Sequence, residues 1–276
     1  MPSIQDLLIS AALPDSPTAR LDAELLLAAA LGKPRSYLHT WPEREPEAEQ
    51  LQTFTDWLAR RQLGEPVAYI LGRQGFWNLD LEVAAHTLIP RADTELLVEV
   101  ALQLLPATAL QVLDLGTGSG AIALALAAER PDWKVLGVDR VEEAVVLAER
   151  NRQRLLLDNV RFTGSQWFQA LSGQRFVLIV SNPPYIATGN EHLQQGDVRF
   201  EPDSALVAGV DGLDDIRQII QQAPDYLEDA GWLVLEHGFD QAEAVRGLLV
   251  ARGFTRVESR LDLGGHQRIS LGQWPT

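Results

Sequence analysis

Val112-Leu113-Asp114-Leu115-Gly116-Thr117-Gly118-Ser119-Gly120-Ala121 is the stretch that decides the fold. A short apolar run gives way to three glycines at alternate positions, and an unbroken apolar run from Ala121 to Ala128 follows. This reads as a buried strand, a tight turn and a helix start. Glycine lets the backbone approach a ligand closely, and a helix N-terminus presents unpaired N–H groups at the same point. Outward from this stretch, strands and helices alternate from Arg91 to the C-terminus, which predicts a mostly parallel sheet covered on both faces. Strands are expected at Gln111–Leu115, Lys134–Asp139, Val160–Thr163, Phe176–Ser181, Gly231–Leu235, Thr255–Leu261 and Arg268–Leu271. Helices are expected at about Thr94–Leu105, Ser119–Glu129, Glu142–Arg154, Gly212–Leu227 and Gln241–Arg252. The last two strands have little between them and should form an antiparallel hairpin at one edge. The expected fold class is α/β: a doubly wound, mostly parallel sheet of seven strands.

Residues 1–73 follow another pattern, helical and without a convincing strand. Asp15-Ser16-Pro17 reads as a helix start, with Ser16 or Asp15 as cap and Pro17 in the first turn. Leu21, Leu25 and Ala28 then fall on one face, and Gly32 ends the helix. A second helix begins near Pro46, with Leu51, Phe54 and Leu58 at helical spacing, and stops at Gly64-Glu65-Pro66. Further on, Trp77, Leu79, Leu81 and Val83 alternate with Asn78, Asp80 and Glu82, the pattern of a half-buried strand, and Leu88-Ile89-Pro90 follows a short turn. The expected domains are a helical unit over 1–73, a β-hairpin linker over 74–90 and a sheet domain over 91–276.

Composition narrows the function. The chain has 276 residues, 46% hydrophobic and 22% charged, with a formal charge of −15, which opposes a long polyanion such as duplex DNA. Only Lys33 and Lys134 among its 23 basic residues are lysines. No cysteine is present, which excludes disulfides and thiolate metal or redox sites and fits a cytoplasmic protein. The first residues do not read as a signal peptide, and the longest apolar run is far short of a membrane span. His39, His86, His192, His237 and His266 show no metal-ligand spacing, so no metal is expected.

The glycine turn alone is ambiguous, because Gly116, Gly118 and Ala121 also fit the looser dinucleotide fingerprint. Asp139 ends the next strand, where a carboxylate accepts the hydroxyls of an adenosine ribose in either class of ligand. Asp114 beside the turn would repel a pyrophosphate but tolerate a ligand carrying an ammonium and a sulfonium. Val180-Ser181-Asn182-Pro183-Pro184-Tyr185-Ile186, just after the fourth strand, settles the chemistry. An amide or aniline-like nitrogen is a poor nucleophile and must be held rather than deprotonated. The Asn182 side-chain oxygen and the Pro183 carbonyl can each accept one of its N–H bonds, and Tyr185 can pack on the flat group. Catalysis is then mainly positioning for in-line transfer.

These segments resemble the nitrogen-directed branch of the S-adenosylmethionine methyltransferases. Gly64-Glu65-Pro66-Val67-Ala68-Tyr69-Ile70-Leu71-Gly72, Phe76-Trp77, Leu88-Ile89-Pro90-Arg91-Ala92-Asp93-Thr94-Glu95 and Phe200-Glu201-Pro202 narrow the likeness. Together they are similar to the peptide chain release factor glutamine methyltransferases, almost end to end. The resemblance implies the seven-stranded methyltransferase sheet and, as activity, methylation of N5 of the glutamine in the Gly-Gly-Gln loop of class-1 release factors. S-adenosyl-L-methionine would be the cofactor and S-adenosyl-L-homocysteine the product. It implies cofactor contacts from Gly116, Thr117, Gly118, Ser119, Gly120, Asp139, Trp167 and Asn182. Asn182, Pro183, Pro184 and Tyr185 would touch the substrate, with Asn182, Pro183 and Tyr185 carrying catalysis. Residues 1–73 would recognise the protein substrate, in a monomer that binds neither nucleic acid nor membrane. The rival readings are a glutamine methyltransferase of a ribosomal protein, an adenine-N6 nucleic-acid methyltransferase and a module that binds cofactor without turnover. Arg91, Glu95 and Glu201 are expected to brace the substrate loop through buried ion pairs. Trp167 and Phe168 can cover an adenine or fill core, and Gly189–Asp203 reads as a flap over the acceptor or a plain surface loop.

Overall fold

A computed structural model describes residues 1–276 and divides into two compact units, Met1–Arg73 with Glu191–Phe200, and Gln74–Asn190 with Glu201–Thr276. The segment Glu191–Phe200 clusters with the helical residues rather than with the sheet domain expected over 91–276.

The first unit contains α1 (Ile4–Ser10), α2 (Ala19–Ala30), α3 (Arg35–Thr40), α4 (Ala48–Gln62) and α5 (Val67–Leu71). Ile4, Leu26, Leu27, Leu38, Phe54 and Ile70 form its core. α1 is closed by a capping box in which Ser3 and Asp6 satisfy each other's backbone N–H groups. α2 departs from expectation. It starts after Thr18 with no side-chain cap, and Leu21 is 37% exposed while Ala23, Leu26 and Leu27 are buried. The inward face also carries Asp22 and Glu24, which a hydrophobic pattern assigns to solvent. Both are paired inside: Arg61 Nε donates to Asp22 at 2.7 Å, and Arg20 and Arg35 each donate to Glu24 at 2.8 Å. Arg61 also donates to Asp197 at 2.8 Å, to the Gly64 and Glu65 carbonyls at 3.1 Å each, and so ties Glu191–Phe200 to this unit.

The hairpin comes earlier than its alternation implies. β1 (Arg73–Phe76) and β2 (Leu79–Glu82) are joined through Trp77, whose φ is +58°, and Leu88-Ile89-Pro90 is loop rather than returning strand. Arg73-Gln74-Gly75 carries no apolar signal, so the first strand was invisible. Glu95, expected to brace the substrate loop, instead accepts from the Trp77 N–H at 2.7 Å and holds the hairpin turn.

The sheet consists of β3 (Gln111–Leu115), β4 (Lys134–Asp139), β5 (Val160–Gly164), β6 (Phe176–Ser181), β7 (Leu227–Glu236), β8 (Thr255–Leu261) and β9 (Gln267–Gln273), in the order β5-β4-β3-β6-β7-β9-β8. All neighbours from β5 to β7 are parallel; β9 runs antiparallel to both β7 and β8. β7 begins at Leu227, four residues before the Gly231 expected, because Ala230-Gly231 makes an irregularity inside the strand (Ala230 φ +58°) rather than a preceding turn. Helices α6 (Glu95–Leu104), α7 (Ala121–Glu129), α8 (Glu142–Leu155), α9 (Asp214–Gln222) and α10 (Ala242–Arg252) connect the strands. Successive strand residues go to opposite cores: Val112, Leu178 and Val180 pack with α6 and α7, while Leu113, Ile179 and Leu233 pack with α9 and α10. The chain runs outward from β3 through β4 to β5, returns to β6 and then continues the other way. The switch point therefore lies between β3 and β6, where an α/β sheet opens a crevice at its carboxyl edge. No helix is long and apolar enough to cross a membrane.

Candidate active site

A cavity occupies that edge. Its wall takes Gly116, Thr117, Gly118 and Ser119 from the turn after β3, Asp139 from the end of β4, Trp167 after β5, and Asn182 and Pro184 after β6. Leu88, Pro90, Arg91 and Thr94 close one side, and Ser204 and Ala205 another. Eight of the residues singled out by sequence thus share one wall. Gly120, Pro183 and Tyr185 lie off it.

The turn is built by glycines with positive φ: +70° at Gly116, +55° at Gly118 and +87° at Gly120. A Cβ at Gly116 would meet the Trp167 ring at 3.4 Å, so the backbone there lies directly under the indole. Gly120 serves packing: a Cβ would come within 2.9 Å of Leu124, 3.0 Å of Phe162 and 3.1 Å of Ala148. The Asp139 carboxylate accepts from the Gly118 N–H and the Val141 N–H, both at 2.9 Å. Each oxygen keeps further acceptor capacity for hydroxyls. Asn151, fully buried on α8 and absent from the sequence reading, donates to the Ser119 carbonyl at 3.0 Å and pairs with the backbone of Glu82, joining hairpin to turn.

Asp114 is not beside the ligand space. It is fully buried behind the turn, where it accepts the Thr117 hydroxyl at 2.6 Å while its Oδ1 has no partner. Burial pushes its carboxyl up to about 7, the Thr117 bond opposing. Its work is to hold Thr117, not to meet a cationic ligand.

The Asn182 loop is fixed from several sides. The Ser181 hydroxyl donates to the Leu115 carbonyl at 2.7 Å, locking the ends of β6 and β3 together. Asn182 Nδ2 donates to the Thr94 hydroxyl at 3.1 Å, which leaves its Oδ1 as the free acceptor. The Tyr185 hydroxyl lies 3.3 Å from Glu236 Oε1, and Gln241 donates to the Tyr185 carbonyl at 3.0 Å. Burial and the Glu236 charge raise the Tyr185 phenol further above its ordinary range, so it remains protonated. Glu201, buried, accepts from the Ile89 N–H at 2.9 Å and pairs with Arg91. The expected ion pair between Arg91 and Glu201 is present, and it ties Glu201 to the Ile89–Arg91 segment rather than to the Asn182 loop. Thr94 and Glu236 were missed, although an acid closing the apolar strand Leu233-Val234-Leu235-Glu236 was a visible signal.

With this geometry, comparison with known proteins is informative. Residues 8–72 match the family described as PrmC N-terminal domain, and residues 91–198 the one described as methyltransferase small domain. The release factor glutamine methyltransferase of Pseudomonas aeruginosa is 69% identical over 274 residues, covering 99% of this chain and 99% of that protein. The chain belongs to the release factor glutamine methyltransferase family. The Escherichia coli K12 member is 49% identical over 259 residues, covering 94% of each. Solved structures agree on the fold alone. A methyltransferase from Pyrococcus furiosus superposes with a TM-score of 0.56 at 19% identity, covering 80% of this chain and 100% of that one. A 16S rRNA N2 G1207 methyltransferase from T. thermophilus, in complex with AdoMet and guanosine, superposes with a TM-score of 0.54 at 21% identity, covering 73% and 49%.

Proposed function

We propose that this member of the family transfers a methyl group from S-adenosyl-L-methionine to N5 of the glutamine in the Gly-Gly-Gln loop of class-1 release factors. The observation that carries the reading is Asn182. It stands on the wall of the cavity that begins at the glycine turn, with its amide nitrogen committed to Thr94 and its oxygen free. The donor set suits the cofactor: a glycine turn whose backbone lines the cavity beside the Trp167 ring, and a strand-end carboxylate at Asp139 for ribose hydroxyls. Gly116, Thr117, Gly118, Ser119, Asp139, Trp167 and Asn182 would hold it.

The bound sulfonium supplies an electrophilic methyl and a neutral thioether leaving group. The protein's part is geometry. Asn182 Oδ1 and the Pro183 carbonyl accept the two amide N–H bonds and turn the nitrogen's lone pair toward the methyl. Pro184 and Tyr185 shape the slot for the flat amide, the tethered hydroxyl stopping rotation of the ring about its attachment. The nitrogen becomes acidic as it is alkylated and releases its proton afterwards, so no base is required in advance. The glycines before the glutamine let its loop bring that side chain close to the protein backbone.

Residues 1–73, with Glu191–Phe200 joined to them, are assigned to recognition of the protein substrate, 74–90 to linkage and the rest of 91–276 to catalysis, in a monomer working in the cytoplasm where its substrate is. The net charge of −15 weighs against nucleic acid as acceptor. Transfer of labelled methyl tests the reading on four samples: a release factor, the factor with its loop glutamine changed to alanine, a ribosomal protein mixture, and unmethylated DNA. Label on the intact factor alone is expected. Label on DNA would mean that the loop holds adenine, and label on a ribosomal protein would move the substrate to that class.

A further inference from the structure

We propose that Gln241, which lies off the cavity wall, is a positioning residue for methyl transfer: it holds the Asn182–Tyr185 loop by the main-chain carbonyl of Tyr185. This rests on the acceptor chemistry above. The loop has few anchors of its own, because Pro183 and Pro184 lack an N–H and cannot be held by main-chain donation. The direction of the Pro183 carbonyl is therefore set by what grips the residues on either side. In front, the Ser181 hydroxyl donates to the Leu115 carbonyl at 2.7 Å. Behind, Gln241 Nε2 donates to the Tyr185 carbonyl at 3.0 Å.

The Gln241 amide has only one workable direction. Its oxygen accepts the Gly238 N–H at 2.8 Å, and a main-chain N–H can only donate. Its nitrogen faces the carbonyls of Tyr185, Asp211 at 3.3 Å and Gly212 at 3.5 Å, which can only accept. A turned amide would set oxygen against carbonyl at one end and N–H against N–H at the other. The base of this strut is fixed as well. The Gly238 carbonyl accepts the Gln241 N–H at 3.0 Å and lies 2.8 Å from Nδ1 of His237, which is fully buried. His237 Nε2 in turn lies 2.7 Å from the Ser270 hydroxyl of β9. Gln241 thus links a rigid turn after β7 to the loop after β6. Gly212 makes room on the far side. Its φ is +75°, and a Cβ there would come within 2.2 Å of the Tyr185 carbonyl oxygen and 2.8 Å of Gln241 Nε2. Without the Gln241 donor, the Tyr185 carbonyl is released and the slot before it shifts. A misplacement of about 1 Å costs about a hundredfold in rate.

The test measures kcat and KM for the release factor, and the Kd for S-adenosylmethionine, in full-length Q241E and Q241M. Glutamate keeps an oxygen for the Gly238 N–H but has no N–H for Tyr185; methionine removes both ends at similar length. Both variants are expected to lower kcat by about tenfold to a hundredfold, with cofactor Kd within threefold and kcat falling by a larger factor than KM rises. Wild-type kcat in Q241E would overturn the proposal, because the work of Gln241 would then end at closing the turn on Gly238. A loss of cofactor affinity equal to the loss of rate would overturn it too, since the effect would then reach the whole site. Should the wild type label another acceptor instead of the factor, the acceptor reading fails. The same loss of rate in both variants on that acceptor would still support the strut, and wild-type rates there would overturn it.

Discussion

Replacing Asp114 with asparagine should change how the stability of this protein depends on pH. Asp114 is fully buried, one of its oxygens has no hydrogen-bond partner, and its carboxyl is raised from 3.8 to about 7. The folded pKa lies above the unfolded one, so the stabilisation from keeping the proton is fully present below pH 3.8. It is lost as pH rises, and the loss is complete above about 7. Relative to acid pH, ionisation of Asp114 costs roughly 2 kcal/mol at pH 5 and roughly 4 kcal/mol at pH 8, from the linkage of the two pKa values. The neutral amide of D114N carries no such dependence. The stability of the wild type minus that of D114N should therefore fall by roughly 2–3 kcal/mol between pH 5 and pH 8. Because only the change with pH is read, any fixed cost of the substitution cancels. Urea titrations of both proteins at the two pH values, with hydrogen exchange of the β3 amides reporting on the sheet unit, measure it. A difference that stays within about 0.5 kcal/mol would mean that Asp114 holds no proton at neutral pH, and that its burial is relieved in a way this geometry does not contain.

Further outcomes follow from the same structure. N182A should abolish turnover while leaving cofactor affinity within about tenfold, since the oxygen it removes orients the acceptor; calorimetry and a methyl-transfer assay separate the two effects. R61A removes the cation paired with buried Asp22, a change that costs about 3–5 kcal/mol when one member of a buried pair is removed and toward the lower end here because the Ser16 and Thr18 hydroxyls still donate to Asp22. It also frees Asp197, so limited proteolysis should cut within Glu191–Phe200 sooner, and the KM for the intact factor should rise with cofactor Kd unchanged. Gly137→Ala places a Cβ 2.6 Å from the Phe162 ring and 2.7 Å from the Thr117 hydroxyl. Overpacking of about 1–3 kcal/mol is expected there, with weaker cofactor binding as Thr117 is displaced, read by thermal melting with and without cofactor.

The sequence by itself determined the α/β class, the seven strands, the parallel-to-antiparallel change at the C-terminal edge and the chemistry of two loops. Each of these is written in local signals. Apolar strands of four to seven residues bounded by turns need no partner to be recognised, and glycines before an apolar helix or Asn-Pro-Pro-Tyr after a strand carry their chemistry in residue type and spacing. Tertiary structure decided whatever depends on which polar groups meet. Asp22 and Glu24 face inward on α2 because Arg61, Arg20 and Arg35 come to them from elsewhere in the chain, so the exposed Leu21 broke the periodic reading. Asp114 looked like a ligand contact, yet the twist of the turn puts it behind Thr117. Glu191–Phe200 joined the helical unit through Asp197, which lies 136 residues from Arg61. Asn182 meets Thr94, 88 residues away, and Tyr185 meets Glu236, 51 residues away, only once the sheet has placed β6 beside β7. Hydrophobic periodicity reports which face of an element is apolar, but a buried charge is settled by its partner, and the partner is chosen by the fold.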